Sequence, residues 1–410
     1  MLIEQPEGTH HPSWTRMAPA ALTVLALCQP FAAEAHVKWF SHVVNCGTTP
    51  RNPAEVLTSP LFLALLMAAA LTLCGVFMIE RQLLPRFEAI HQAHAHWKQR
   101  FGLVAAWLLR IGLCVYFLSL VSYGDAQRIV LTPELLTTGS WVTFCQLQIA
   151  VLVLWKRTVP LAVASMLILF GYGLWTAGWF HMLDYLYFLG VAAFLLIDAL
   201  YGPKLHYVGF TLLRVSASLS FLWVSIEKWL YPHWTIDILE HELRQITMGL
   251  ELPFFVTSAG MVEFCLAFLL MMGRLSSQIA SLVLLVMMVA AIPLVGLLDA
   301  IGHAPLMIVL IIFSASQNRI GYPAAAARKG ADLGHVWTFA LAVPGLIGLY
   351  VLFHALAYPG NQEWMTWPAA FGLLLSAPLV WRLAHTTPHL FPLRRRGWPV
   401  HSGLSLSAAG

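Results

Sequence analysis

Arg214 and Glu263 are the residues of this chain best placed to do chemistry in an apolar setting. Each interrupts a long hydrophobic run, and a charge inside hydrocarbon normally faces the protein interior and finds a partner. They fall at similar depths on consecutive antiparallel helices, so their spacing predicts an ion pair. Such a pair can be a helix-to-helix clamp, or part of a proton path or polar binding site. A second group follows Glu227 and Lys228, which close one apolar run before Pro232-His233-Trp234 turns the chain. Ile236, Leu239, Leu243, Ile246 and Leu250 then recur at helical spacing, with Asp237, Glu240, His241 and Glu242 on the other face. This pattern predicts an amphipathic helix lying on the membrane surface. His303, at the outer start of a later helix, can approach that cluster, and a histidine beside carboxylates transfers protons near neutral pH. The alternative is a solvated interfacial face anchored by Trp229 and Trp234.

Other candidates are scattered. Arg110 opens an earlier helix as Arg214 opens a later one, but Thr143 stands where Glu263 would be expected. His181 occupies the place of His303 in that earlier block. If the chain were cleaved after Ala33-Glu34-Ala35, the free amine and imidazole of His36, with His42, offer nitrogen ligands suited to copper. Otherwise Lys38 and Trp39-Phe40 read as an interfacial anchor. His91, His94 and His96 sit among Lys98 and Arg100, as an exposed polar linker would. His354 lies alone in an apolar helix, where a hydrogen bond to a neighbouring helix, rather than iron binding, is the expected role. Five cysteines lie in apolar runs, Cys46 stands in a polar loop, and no C-x-x-C is present.

The elements that must position these residues are membrane helices. Apolar residues make up 59% of the chain and charged residues 10%, too little charge to cover a soluble surface. Apolar stretches of about 17–25 residues recur from end to end, whereas the alternating pattern of a membrane β-barrel does not. The expected fold is an all-α polytopic transmembrane bundle of about eleven or twelve helices. The first, near Met17–Ala35, reads equally as a cleavable signal segment. Basic residues around Arg81, Lys98, Lys156-Arg157, Lys204, Arg274, Arg319, Arg328-Lys329 and Arg394-Arg395-Arg396 fall on every second side, which should be cytoplasmic. That pattern is not a nucleic-acid footprint, so the bilayer is the expected partner and nucleic acid is not.

The chain also repeats itself. Leu108-Leu109-Arg110-Ile111 and Leu212-Leu213-Arg214-Val215 each open a four-helix block, and Val142-Thr143-Phe144-Cys145 matches Val262-Glu263-Phe264-Cys265. Blocks with an even number of helices are parallel repeats, related by an axis along the membrane normal. Residues 1–100 then hold the signal-like or first helix, an outer loop, a second helix and a linker. The two blocks occupy 101–200 and 201–318, and 319–410 hold a linker, two helices and a basic tail.

The second block resembles the DoxX-like membrane family, which includes the DoxD-type subunit associated with thiosulfate:quinone oxidoreductase. Leu213-Arg214, Glu227-Lys228, Gly260-Met261-Val262-Glu263 and Met272-Gly273-Arg274-Leu275 carry the resemblance, over roughly 212–316. Where members often have a glycine before the lysine, this chain has Ser225-Ile226-Glu227-Lys228. The resemblance implies a membrane subunit of a quinone-linked redox system in the bacterial inner membrane. With no redox-cofactor signature in the chain, the electron donor is expected to be a partner protein or a bound molecule. Glu263, Arg214, Glu227, Lys228 and His303 are then the candidates for catalysis. Arg214, Glu263, Arg110 and His181 are those for contact with a quinone, and His36 and His42 those for a metal. A secondary transporter is the competing expectation, because paired repeats with intramembrane charge also build transporters. A periplasm-facing copper or other metal-handling membrane protein built around His36 is a third. No phosphate-binding glycine loop, H-E-x-x-H or G-x-S-x-G supports ATP-driven or hydrolytic chemistry.

Overall fold

The computed structural model describes residues 38, 41, 43–92, 95–123, 127–241, 243–273, 275–315, 331–359, 372 and 375–380, with backbone only for those within 84–102 and for 331–332. A short helix α1 (Pro53–Thr58) leads into α2 (Pro60–Gln92) and α3 (Ala95–Tyr123). A two-stranded antiparallel hairpin, β1 (Arg128–Ile129) with β2 (Leu136–Thr137), precedes α4 (Trp141–Leu152) and α5 (Val159–Thr176). The 3-10 turn His181–Tyr185 then enters α6 (Leu186–Tyr201), and α7 (His206–Leu230) follows. Next come α8 (Pro232–His241), α9 (Leu252–Met272), α10 (Leu275–Val295), α11 (Leu297–Ala315) and α12 (Ala331–Ala357).

Among the described residues, eight helical stretches are long and apolar enough to cross a membrane. One of them, His181–Leu230, has 50 residues, about 75 Å if straight against hydrocarbon about 30 Å thick. It doubles back at Gly202, whose φ of +57° favours glycine, and so supplies both α6 and α7. The expected helix over Trp141–Trp155 is shorter than the sequence predicts. It unwinds after Leu152, where Thr158 Oγ1 donates to the Leu152 and Trp155 carbonyls (2.6 and 2.9 Å) and closes the basic turn. The expected spans at Met17–Ala35 and over most of Thr366–Trp381 lie outside the described residues.

Helix α7 is the axis of the bundle, buried along most of its length. It packs on α6 before it and α9 after it, with α12 and α11 also touching it, while α11 reaches back to α3. Small residues set these distances, as they do between membrane helices generally. A Cβ on Gly190 would fall 3.0 Å from the Leu213 backbone, and one on Gly260 would meet Trp229 Nε1 at 2.6 Å and the Ser225 carbonyl at 3.1 Å.

The continuous amphipathic helix expected beyond Pro232 is not formed. α8 stops at His241, a 3-10 turn spans Arg244–Thr247, and left-handed Met248 (φ +51°) and Gly249 (φ +81°) redirect the chain into α9. Trp234, Leu239, Leu243 and Ile246 are buried, so tertiary packing rather than a membrane surface uses these apolar positions.

Candidate functional site

The outer end of the bundle, opposite the turns that carry Lys156 and Lys204, encloses a charged cluster. Lys38 Nζ lies 2.6 Å from Asp184 Oδ2 and 2.7 Å from Glu227 Oε1, and all three side chains are almost wholly buried. Tyr350 of α12 donates its hydroxyl to the same Glu227 oxygen at 3.1 Å. Burial pulls the Lys38 ammonium toward its neutral form, but the Asp184 and Glu227 carboxylates more than offset this and hold its pKa above the ordinary lysine range. The interfacial reading of Lys38 is therefore corrected: it points into the bundle because two carboxylates there require a cation.

Aromatic rings wall this set. Lys38 Nζ stands 5.7 Å from the Trp234 ring centroid, and Trp234 stacks on Tyr231 at 4.1 Å. Tyr231 contacts Tyr350, which packs against Trp223 at 4.6 Å. The indole nitrogens of Trp223 and Trp234, and Asp184 Oδ1, are buried with no hydrogen-bond partner among the described residues.

One turn deeper, Glu263 pairs with Lys228 across the close approach that Gly260 permits. The predicted Arg214–Glu263 pair does not form. Arg214 donates instead to the carbonyls of Leu270, Met271 (3.0 Å) and Gly273 at the C-terminus of α9. Depth along the helices explains the difference. Arg214 lies level with the end of α9, where its guanidinium satisfies orphan carbonyls, whereas Glu263 sits two turns further in. His303 Nδ1 lies 3.0 Å from Asp299 Oδ1 on its own helix and within electrostatic range of Glu263. It therefore joins the deeper pair rather than the residues of α8.

Arg110 also finds an acid, though not at the matched position. It pairs with Asp198 of α6, which also accepts from or faces His206 Nε2 at 2.6 Å. Thr143 accepts from Arg128 Nε at 2.8 Å instead. The expectation that the first block lacks a partner for its arginine is thus corrected. Glu80 of α2 caps α10, accepting from the backbone of Leu275 and Ser276 (2.5 and 3.3 Å) and from Ser276 Oγ (2.7 Å).

His181 belongs to a third outer group. Its Nε2 is 2.9 Å from Glu134 Oε1 and its Nδ1 is 3.5 Å from Cys46 Sγ. His354 Nε2 lies 2.9 Å from the Cys46 carbonyl, so it bonds a loop rather than the neighbouring helix expected. His36, His42 and His94 lie outside the described residues, as do the side chains of His91 and His96. Lys38, Glu134, Asp184 and Tyr350 were not picked out as site residues. Asp184 and Asp198, ionisable groups inside apolar runs, carry the signal that identifies such positions.

A groove of about 780 Å³ runs between α2, α9 and α10, lined by Leu65, Leu73, Phe255, Val262, Cys265 and Ala280 among others. Glu263 is not part of its wall. Compared with family models, curated proteins and solved structures, the chain matches none.

Proposed function

We propose that this chain is a multi-pass protein of the bacterial inner membrane and the quinone-associated component of a redox complex. The observation that carries this reading is the set of unpartnered polar atoms around Lys38. A buried donor or acceptor without a partner costs about 1–3 kcal/mol. Among the described residues the indole N–H groups of Trp223 and Trp234 stand in that condition within one aromatic enclosure, as does Asp184 Oδ1, an acceptor that the hydroxyl of the reduced quinol could satisfy. A quinone headgroup is a flat ring with carbonyl acceptors. It suits stacking on tryptophan and tyrosine, and it can accept from the indole N–H groups and from Lys38.

When bound, a quinone supplies two-electron, two-proton chemistry. The chain's own residues hold the protons: Glu227 links Lys38 to Tyr350, and Glu263 with Lys228 continues the line inward. Electrons would come from a partner subunit, since the sequence carries no redox-centre motif. The resemblance to DoxX-like proteins supports the same assignment, and the basic turns would face the cytoplasm.

The reciprocal packing of α6 on α7 and α11 on α3 supports two parallel repeats, and favours a secondary transporter as the second reading. The test is to solubilise the protein gently, extract bound small molecules, and titrate a short-chain ubiquinone analogue. Saturable binding weakened at least about tenfold by Trp223→Phe with Trp234→Phe is expected, about 1.4 kcal/mol. Absence of both copurified quinone and analogue binding overturns it. Substrate uptake into proteoliposomes that is lost in Glu263→Gln would favour the transporter.

A further inference from the structure

Cys46 is the one described cysteine outside the helices. Its turn is held rigidly. Gly47 N donates to Asn45 Oδ1 (2.9 Å), Thr48 N donates to the Asn45 carbonyl (3.1 Å), and Tyr231 donates to the Thr48 carbonyl (2.8 Å). His354 fixes the Cys46 carbonyl from the bundle side. On this support the thiol sulfur faces His181 Nδ1 at 3.5 Å, and the far ring nitrogen faces Glu134 at 2.9 Å. Glu134 is itself oriented by the Tyr185 hydroxyl. Three separate segments thus place thiol, imidazole and carboxylate in line.

This order has a chemical consequence. A carboxylate on Nε2–H strengthens the imidazole as a base at Nδ1, beside the thiol, the relation of a nucleophile to a general base held by a third group. The His181 and Glu134 side chains are 11% and 12% exposed. Cys46 is half-buried in a turn whose Asn45, Gly47 and Thr48 are exposed, so the thiol sits beside solvent-facing residues.

We propose that Cys46 is a reactive thiol of the outer face that exchanges with disulfide substrates, with His181 moving its proton. His181 takes the Cys46 proton, and the thiolate attacks one sulfur of R–S–S–R. A Cys46–S–S–R bond forms as the substrate S–S bond breaks. The departing R–S⁻ takes the proton back from the imidazolium, so no external oxidant or reductant is consumed. Acyl transfer fits less well, because the Gly47 and Thr48 amides that could hold an oxyanion are committed to Asn45. Thiol–disulfide exchange develops its charge on sulfur and needs no such donors.

The test uses the full chain in detergent with 5,5′-dithiobis(2-nitrobenzoate), read as released thiolate and as adduct mass. One fast-reacting site is expected, absent in Cys46→Ala and slowed at least about tenfold in His181→Gln. Glu134→Gln should slow it less. If His181→Gln does not fold, the unaltered chain decides, through the rate of Cys46 in the folded protein against the same thiol after denaturation. A folded-state rate no faster than the denatured one overturns the proposal, as does an unchanged rate in folded His181→Gln. Cys46→Ala should keep quinone-analogue binding, so this proposal and the quinone reading fail separately.

Discussion

The two ends of the bundle treat buried charge differently. At the basic end, Arg214 sits on the C-terminal carbonyls of α9 and Glu80 on the N-terminal amides of α10. Each charge opposes a helix-terminal partial charge of the other sign, within one turn. Arg110 and Asp198 pair between α3 and α6. At the outer end, Glu134, Asp184, Glu227, Glu263 and Asp299 gather around two lysines and two histidines. Carboxylates there outnumber fixed cations; among the described residues buried polar atoms without partners occur there and, as Arg110 Nε, at the basic end too. Matched charges hold helices together, whereas an excess in low dielectric must be balanced by protons or a ligand. Helix-to-helix contacts account for the charges at the basic end, whereas the outer end holds the charge that the proposed chemistry would use.

The largest effect should come from Lys38→Met. It leaves two buried carboxylates facing each other and should cost about 3–5 kcal/mol, seen as lost monodispersity and thermal stability in detergent. Adding Asp184→Asn and Glu227→Gln should recover much of that loss without recovering quinone binding. Full stability in Lys38→Met alone would mean that the outer cluster is not energetically coupled.

Arg214→Leu tests the other end. It should cost about 1.5–3 kcal/mol through the carbonyls left at the close of α9, with quinone binding and Cys46 reactivity unchanged in the folded fraction. A specific loss of either activity would break the division between ends. Gly260→Ala should cost on the order of 1 kcal/mol by pushing α7 from α9, and should disturb the Lys228–Glu263 pair first. Weakened analogue binding in that variant, measured beside its melting temperature, would sharpen the link between helix spacing and the site. Glu80→Gln should have the smallest effect, about 0.5 kcal/mol, since the amide still accepts from the α10 amides but loses its charge against the helix dipole.

Much of the fold is legible in the residues. The helices α2, α3, α5, α6, α7, α9, α10, α11 and α12 each coincide with an apolar run that hydropathy marks. The site was less legible. Glu227, Lys228, Glu263 and His303 do converge, and each stands out as an ionisable group at or inside an apolar run. Their partners do not follow from that. Lys38 reaches Asp184 across 146 residues and Glu227 across 189, and no local spacing encodes either contact. The Arg214–Glu263 pair does not form because the two differ in depth by about two turns of α9. A helix end with open carbonyls lay nearer to the guanidinium than the carboxylate did.

What the sequence determined by itself is the commitment to the membrane and the placing of its helices. The reason is that hydrocarbon thickness imposes a condition on each segment alone, met or failed residue by residue. Which charges meet, and which are left without partners, was decided only by tertiary structure. Gly190 and Gly260 set how closely helices approach, and α8 with the turn around Cys46 closes the outer end. Ion pairs and hydrogen bonds act over a few ångströms, so those distances decide whether Cys46 has a base and whether Lys38 has its carboxylates.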